Sequence, residues 1–567
     1  MKATTKGTTR SIGILLAALA CLSPTVWAGD EKLASELRRQ DLRGNIDVIV
    51  RYRTAPTEAH HRKVVDAGGV LKHRFDLIRS GHYSVPAGML KNLANDAEVE
   101  FVSPDRPVRG MLDLTGDAVN AAAAANYSLD GSGIGIAIAD SGVTKIPDLR
   151  KAGGSATRVV YSQDFTGENV TDDLYGHGTH VAGIAAGNSR TTVQLNGSFR
   201  FFLGMAGNAN IINLRVLDEN GNGTDSNVIA AIQQAIALQS AYNIRVLNLS
   251  LGRGVSGSYT TDPLCQAVEA AWQAGIVVVV AAGNEGRNNN GGIGGYGTIT
   301  APGNDPYVIT VGAMKTMNTP SRTDDNIASY SSKGPTLYDQ IVKPDIVAPG
   351  NLVRSTLSST SNTLYTQYPA TQLLTSYYAA GYSKAISRAY YTLSGTSMAT
   401  PVVSGAAALL IEQNPSLTPD QVKARLMKTA YKSFPTASVA TDPSTGLTYT
   451  SYYDLFTVGA GYLDIQAALA NTDVAGLQAL SPSAVFKSST NSVSLVYGTN
   501  VVWGTNVVWG TNVVWGTNVV WGTSTMQGFN VVWGTGLNGS IDPASVVWGT
   551  STGTALEGMA VLTQGEN

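Results

Sequence analysis

Three residues have types and positions that could combine in nucleophilic catalysis. Asp140 ends the apolar run Ile136-Ala137-Ile138-Ala139, His177 lies in Gly176-His177-Gly178-Thr179-His180-Val181-Ala182-Gly183, and Ser397 lies in Gly395-Thr396-Ser397-Met398-Ala399-Thr400-Pro401. A serine hydroxyl is a weak nucleophile until an imidazole within hydrogen-bond reach accepts its proton. A carboxylate on the other ring nitrogen fixes the tautomer and stabilises the imidazolium, and Asp, His, Ser is one of the chain orders in which such a set recurs. The histidines narrow the choice. Of six, His60, His61, His73 and His82 belong to a charged front segment, so the body keeps only His177 and His180 as candidate bases. These two, at i and i+3, could also be paired metal ligands, but the zinc-protease pattern His-Glu-x-x-His with its glutamate base is absent. A lone Ser in a Gly-rich turn is ordinarily structural. Here its partners stand at other predicted strand ends, which favours chemistry.

The elements that must position these residues can be read from the apolar pattern. Ile134–Ala139, Ile211–Leu217, Val246–Leu251 and Ile276–Ala282 are short unbroken apolar runs, the mark of strands buried on both faces. Helical stretches such as Asn227–Leu238 and Pro263–Ala274 separate several of them. Strands alternating with helices predict an α/β body with a parallel sheet covered by helices, whose chemistry gathers at the carboxyl ends of strands.

Around this body the composition shifts. From Glu31 to Arg109 there are 14 Lys/Arg and 11 Asp/Glu in 79 residues, against a charged fraction of 14% for the whole chain. Ile46–Val50 and Val99–Val102 read there as strands, Glu58–Val70 and Met89–Asn95 as helices, giving a compact α+β unit. Its four histidines read as an incidental solvated cluster in preference to a pH sensor. Before it, Lys2, Lys6 and Arg10 precede an apolar run Ile12–Leu22 and the small-residue exit Val26-Trp27-Ala28, the plan of a secretory leader. Only Cys21 and Cys265 occur, and Cys21 falls in the leader, so no intrachain disulfide is expected in a mature form. Leu19-Ala20-Cys21 is a loose match to a lipoprotein signal, which makes a membrane tether the second reading of localisation. The net charge of −2 gives no footprint for nucleic acid.

At the other end, six of the eight Trp (Trp503, Trp509, Trp515, Trp521, Trp533 and Trp548) fall within 46 residues. Asn-Val-Val-Trp-Gly-Thr repeats four times in tandem over 500–523 and again at 530–535. An even period would put every Trp on one side of an extended chain. A surface-binding or self-associating module and a low-complexity extension are both open readings of this tail.

With these motifs in place, the body over roughly 115–470 resembles the subtilisin-like serine proteases, and the front segment resembles that family's inhibitory propeptide. The resemblance implies Ser397 as nucleophile, His177 as general base then acid, and Asp140 as its orienting carboxylate. It implies an oxyanion hole from Asn284, in Ala281-Ala282-Gly283-Asn284-Glu285-Gly286, together with Ser397, and a structural role for His180. Substrate-binding strands are implied at Gly221, Asn222 and Gly223 and, opposite, at Ser250, Leu251 and Gly252. Arg253 stands where relatives often have Gly, which puts the pocket mouth in doubt there. No cofactor is required for the chemistry. A structural calcium fits the family, with metal ligands unknown: Asp218–Gly223 resembles half of an EF-hand loop, but position 12 is Ile229 and a plain Gly/Asn turn is favoured.

The resulting expectation is a leader (1–28), an inhibitory α+β propeptide (29–112), a subtilisin-like α/β catalytic domain (113–470), a linker (471–493) and a Trp-rich repeat region (494–567). The function expected is that of a secreted serine endopeptidase acting on protein or peptide substrates, with its own propeptide as intramolecular inhibitor. The competing class is an adhesin-like protein acting through the tail. Between Thr356 and Gly395 lies a long connection rich in Tyr, which either walls the cleft or packs over the sheet.

Overall fold

The structure, a computed structural model, describes residues 32–38, 42–104, 113–289, 292–442, 445–487, 492–496, 546–547 and 555–566. The leader, Cys21, the tandem hexapeptides and the six Trp of the tail lie outside the described residues. The chain divides into two compact units, 1–108 and 109–567.

In the first unit, β1 (Asn45–Tyr52), β2 (Val70–Phe75), β3 (Ser80–Pro86) and β4 (Val99–Pro104) form an antiparallel sheet of order β2-β3-β1-β4, accompanied by α1 (Glu58–Asp66) and α2 (Leu90–Asn95). Along β1 every second residue, Val48, Val50 and Tyr52, is buried, as one covered face of a sheet requires. Val64 of α1 and Leu90 and Leu93 of α2 complete this core. The histidines are not uniformly solvated. His61 is buried with its Nδ1 2.7 Å from the Tyr83 hydroxyl, which is 2.9 Å from that of Tyr52, and His82 is buried too. His73, by contrast, is exposed.

The second unit is built on β5 (Gly135–Asp140), β6 (Val159–Asp164), β7 (Asn210–Arg215), the short β8 (Asn222–Gly223), β9 (Ile244–Leu249), β10 (Val277–Ala281), β11 (Ile309–Lys315), β12 (Asn326–Ile327) and β13 (Ile346–Pro349). All of these except β8 make one eight-stranded sheet, in the order β12-β11-β10-β9-β5-β7-β6 with β13 also on β11. Every pairing is parallel except β11 with β12. Every residue of β5, β10 and β11 is buried, which is why those runs carry no polar alternation. Among the helices, α3 (His177–Ala186) packs on α6 (Thr396–Gln413), and α4 (Asp225–Tyr242) packs on α5 (Pro263–Gln273). Thr224 starts α4 two residues earlier than its apolar period suggests by accepting from the Asn227 N–H, and Asp262 caps α5 through Leu264 N and Cys265 N.

A three-stranded sheet follows, β14 (Val353–Thr356), β15 (Gln372–Leu374) and β16 (Ile386–Leu393), then a surface hairpin, β17 (Ala437–Thr441) and β18 (Thr448–Tyr452). The unit does not end near Leu469. Residues 471–493, expected as a linker, contribute to a hairpin of β19 (Ser483–Lys487) and β20 (Ser492–Val496). Val342 N donates to Pro482 O (2.8 Å) and Ala484 N to Gln340 O (2.7 Å), while Ala475, Ala479 and Ala484 are buried. A segment that buries side chains and joins its backbone to the body is part of that body. Beyond the tandem copies, β21 (Val546–Val547), inside a looser copy at 545–550, and α7 (Ala555–Gln564) also belong to this unit.

Candidate active site

The residues singled out by chemistry stand at the carboxyl ends of neighbouring strands and the starts of two helices. Asp140 is the last residue of β5, between β7 and β9, where the order of connection reverses. Its side chain is fully buried, and Oδ1 accepts from the Ser141 N–H (2.6 Å). His177 opens α3 and presents Nδ1 to both carboxylate oxygens of Asp140, at 3.0 and 3.2 Å. Gly178 makes this approach feasible. A Cβ there would lie 2.2 Å from Gly142 O and 2.9 Å from Asp140 Oδ1.

The turn into α3 is held by a residue that the motif spacing did not single out. Asp173 accepts from Ser141 Oγ (2.8 Å), Gly176 N (2.6 Å) and Thr179 N (2.8 Å), so one buried carboxylate ties the Asp140 turn to the His177 turn. Burial pushes its pKa up to about 7 against the pull of those hydrogen bonds. His180, one turn on, has Nε2 3.1 Å from Val353 O and stands edge-on to Tyr391. Burial drives its pKa down to about 3, which favours the neutral ring.

Ser397 is the second residue of α6, in the turn whose N–H groups have no acceptor within the helix. The helix carries Pro401, which cannot supply the N–H that would bond Ser397 O four residues earlier. Ser250, just past β9, fills that gap. Its Oγ donates to Ser397 O (2.8 Å), and Ser397 Oγ donates in return to Ser250 O (3.1 Å). Asn284, in the loop after β10, accepts at Oδ1 from Thr396 N (2.9 Å) and Thr396 Oγ1 (3.1 Å), which leaves Nδ2 as its donor end beside Gly395. The structure thus joins Asp140 to His177, and Ser397 to Ser250, with Asn284 bonded to the residue preceding Ser397.

The two segments implied as substrate edges flank these turns. Gly221, Asn222 and Gly223 sit in a turn closed by Asp218, whose Oδ1 accepts from Asn220 N (2.8 Å) and Asn222 N (2.9 Å), with Gly221 at φ 79°. These bonds give the segment the form of a Gly/Asn turn. Ser250, Leu251 and Gly252 follow β9, and Gly252 passes so close to Thr300 that a Cβ would be 2.5 Å from its Oγ1. Arg253 points away from any role as a loose pocket rim. Its guanidinium bonds Asp225 (2.8 and 2.9 Å) and Asp262 (2.8 and 2.9 Å), clamping the starts of α4 and α5. The Tyr-rich connection bonds the turn before α3 and, through Thr363 Oγ1, Glu219 O (2.8 Å) beside the 221–223 turn. Tyr391 donates to Gly176 O, Tyr390 to Asp148 Oδ2 (2.5 Å), and Tyr365 and Tyr378 to Ser387.

Asp164 (3.1 Å) and Glu168 both bond Arg215. Among the described residues no group of three or more His, Cys, Asp or Glu converges on a point.

The Subtilase family model matches residues 131–461, more than half of the chain. The chain belongs to the subtilase family. This subtilase is 36% identical over 367 residues to serine protease AprX of Bacillus subtilis, covering 62% of the chain and 74% of the relative. It is 33% identical over 339 residues to subtilisin DY of Bacillus licheniformis, covering 60% and 91%. Among solved structures it is similar to sphericase, with 29% identity, a TM-score of 0.42 and 60% of the chain against 93% of sphericase covered. It is therefore a serine endopeptidase of the subtilisin family.

Proposed function

We propose that this subtilase cleaves peptide bonds with Ser397 as nucleophile, His177 as base and then acid, and Asp140 as the group that orients the imidazole. The observation carrying this reading is the buried Asp140 carboxylate held 3.0 and 3.2 Å from His177 Nδ1. With Nδ1 protonated toward Asp140, Nε2 is the basic nitrogen. It takes the Ser397 proton as Oγ attacks the carbonyl carbon of the substrate, then gives that proton to the leaving amine as the acyl–enzyme forms. Water, deprotonated by the same nitrogen, releases the acid and restores the Ser397 hydroxyl. Asn284 Nδ2 and Ser397 N–H would hold the oxyanion, both anchored by the Thr396 bonds before the charge appears.

Extended protein or peptide substrates would pair by backbone hydrogen bonds with 221–223 on one side and 250–252 on the other. The front unit would serve as an inhibitory propeptide removed by self-cleavage between about Pro107 and Ala118, and the leader would direct secretion. Among the described residues no helix is long and apolar enough to cross a membrane. The calcium allowed by family resemblance enters no step.

The test is Ser397→Ala. The variant precursor should remain unprocessed and inert toward casein while keeping its far-ultraviolet circular dichroism. Processing and casein cleavage at the parent's rate would overturn the assignment.

A further inference from the structure

Val546 and Val547, inside a last, looser copy of the hexapeptide at 545–550, and residues 555–566 after it are seated on the body of the enzyme. Val546 and Val547 pair antiparallel with Gly223 and Asn222, respectively, so β21 occupies an edge of β8. Further on, α7 buries Val561 and Leu562, Tyr175 OH reaches Met559 Sδ (3.6 Å), and Ser394 N donates to Leu562 O (2.9 Å). Gly565 then turns at φ 62°, where a Cβ would stand 2.5 Å from Ser394 Oγ.

That turn delivers Glu566 into a socket. Its side chain is fully buried and meets Arg287 Nη2 (2.8 Å) and Lys315 Nζ (3.1 Å). The Ser329 N–H (2.9 Å) and Oγ donate to the same carboxylate. Asn351 clasps the Glu566 backbone from both sides, Nδ2 donating to O (2.6 Å) and Oδ1 accepting from N (2.9 Å). Arg287 also pairs with Asp442 (3.1 Å) and lies over Tyr330 and Tyr449.

These receptors come from separate places in the body: Arg287 after β10, Lys315 at the end of β11, Ser329 after β12, and Asn351 after β13. Two buried cations, a backbone N–H and an amide clasp directed at a single residue make a carboxylate socket and not a chance surface contact. Burial works against ionisation of Glu566, but Lys315, Ser329 and Arg287 outweigh it and keep its pKa below the usual carboxylate value. The socket adjoins the candidate active site. Arg287 lies three residues after Asn284, and Ser394 lies three residues before Ser397.

We propose that this surface, which adjoins the cleft, is a peptide-docking site whose occupant is the chain's own residues 546–547 and 555–566, with Glu566 as its anchor. While docked, the segment takes up the β8 edge and competes with substrate there. The competition rests on the reading of 221–223 as a substrate edge; the docking does not.

A site-specific protease sequence inserted between Thr535 and Gly536, in the full chain carrying Ser397→Ala, allows the connection to be cut without self-digestion. After cutting, the fragment from 536 onward should co-elute with the body on gel filtration. In the same chain with Glu566→Gln, its dissociation constant should rise at least tenfold. Release of the parent fragment from a body that keeps its thermal transition would overturn the docking, and so would equal retention of the Glu566→Gln fragment.

The second readout uses the enzyme with Ser397 intact. Replacing Val546 and Val547 by Pro removes the two N–H groups of β21 but leaves Glu566 in place. That variant should hydrolyse a peptide substrate with KM lowered at least threefold and kcat unchanged. An unchanged KM, with the fragment still docked in the first experiment, would overturn the competition and leave the docking standing.

Discussion

Ser250→Ala separates a positioning role at the nucleophile from general packing. Ser250 is buried, and its Oγ supplies to Ser397 O the hydrogen that Pro401 cannot. Removing it strands a buried carbonyl, which costs about 1–3 kcal/mol. It also removes the acceptor that Asn248 Nδ2 finds at 2.9 Å, a loss independent of Pro401. Replacing Pro401 by Ala restores an N–H four residues after Ser397, so in that background Ser397 O regains a donor when Ser250 is truncated. The two changes should therefore couple, with Ser250→Ala costing about 1 kcal/mol less in Pro401→Ala than in the parent. The assay is urea unfolding of the four chains of this cycle, each carrying Ser397→Ala, following the transition of the sheet unit. The Asn248 loss cancels in the difference. Equal costs in both backgrounds would refute the argument that Ser250 substitutes for the missing proline donor.

Asn284→Ala should lower kcat with little change in KM; in subtilisin itself the loss of one such donor is worth about 10²–10³ in kcat. A fall of less than threefold would remove Asn284 from the oxyanion hole. Tyr391→Phe leaves Gly176 O, at the start of the His177 helix, without its hydroxyl donor. It should cost about 1–2 kcal/mol in stability and lower kcat more than KM rises, whereas a variant changed in neither stability nor kcat would free Tyr391 from that role. In the front unit, burial above all, with Arg74 adding to it, holds the His61 pKa below 6.5. Glu58 and Asp76 pull the other way, and His60 reinforces the lowering. The folded unit thus prefers neutral His61 and the unfolded chain takes up the proton first. This contribution to stability is complete above pH 6.5 and is lost as pH falls from there toward the folded value. Protection factors of β1 and β3, which divide out the intrinsic pH dependence of amide exchange, should fall over that window in the full chain carrying Ser397→Ala and stay flatter in His61→Phe; identical profiles would count against it.

The strands that position the site were legible because a strand buried on both faces leaves an unbroken apolar run, and β5 and β10 are such strands. Asp140, His177 and Ser397 were legible because each sits where such a run ends or a small-residue helix begins. Asp173 was not, since its role comes from three hydrogen bonds across a turn and leaves no period in the chain. Pro401 inside a helix was a signal that some side chain must supply a donor, but only the fold shows that Ser250 is that side chain. The hairpin at 483–496 was missed because its pairing is local and its burial depends on Gln340, Val342 and Phe456, far away in sequence.

The β19–β20 hairpin and the β21–α7 segment hold residues 496 and 546 on one and the same unit. The number of hexapeptides strung between those two fixed points is therefore free of both anchors' register. Tandem copies gained or lost by slippage in the gene would change the span between them and leave β20, β21 and Glu566 where they are. Natural variants of this enzyme should accordingly differ in whole six-residue steps at this place, with the sequences of both anchors held constant.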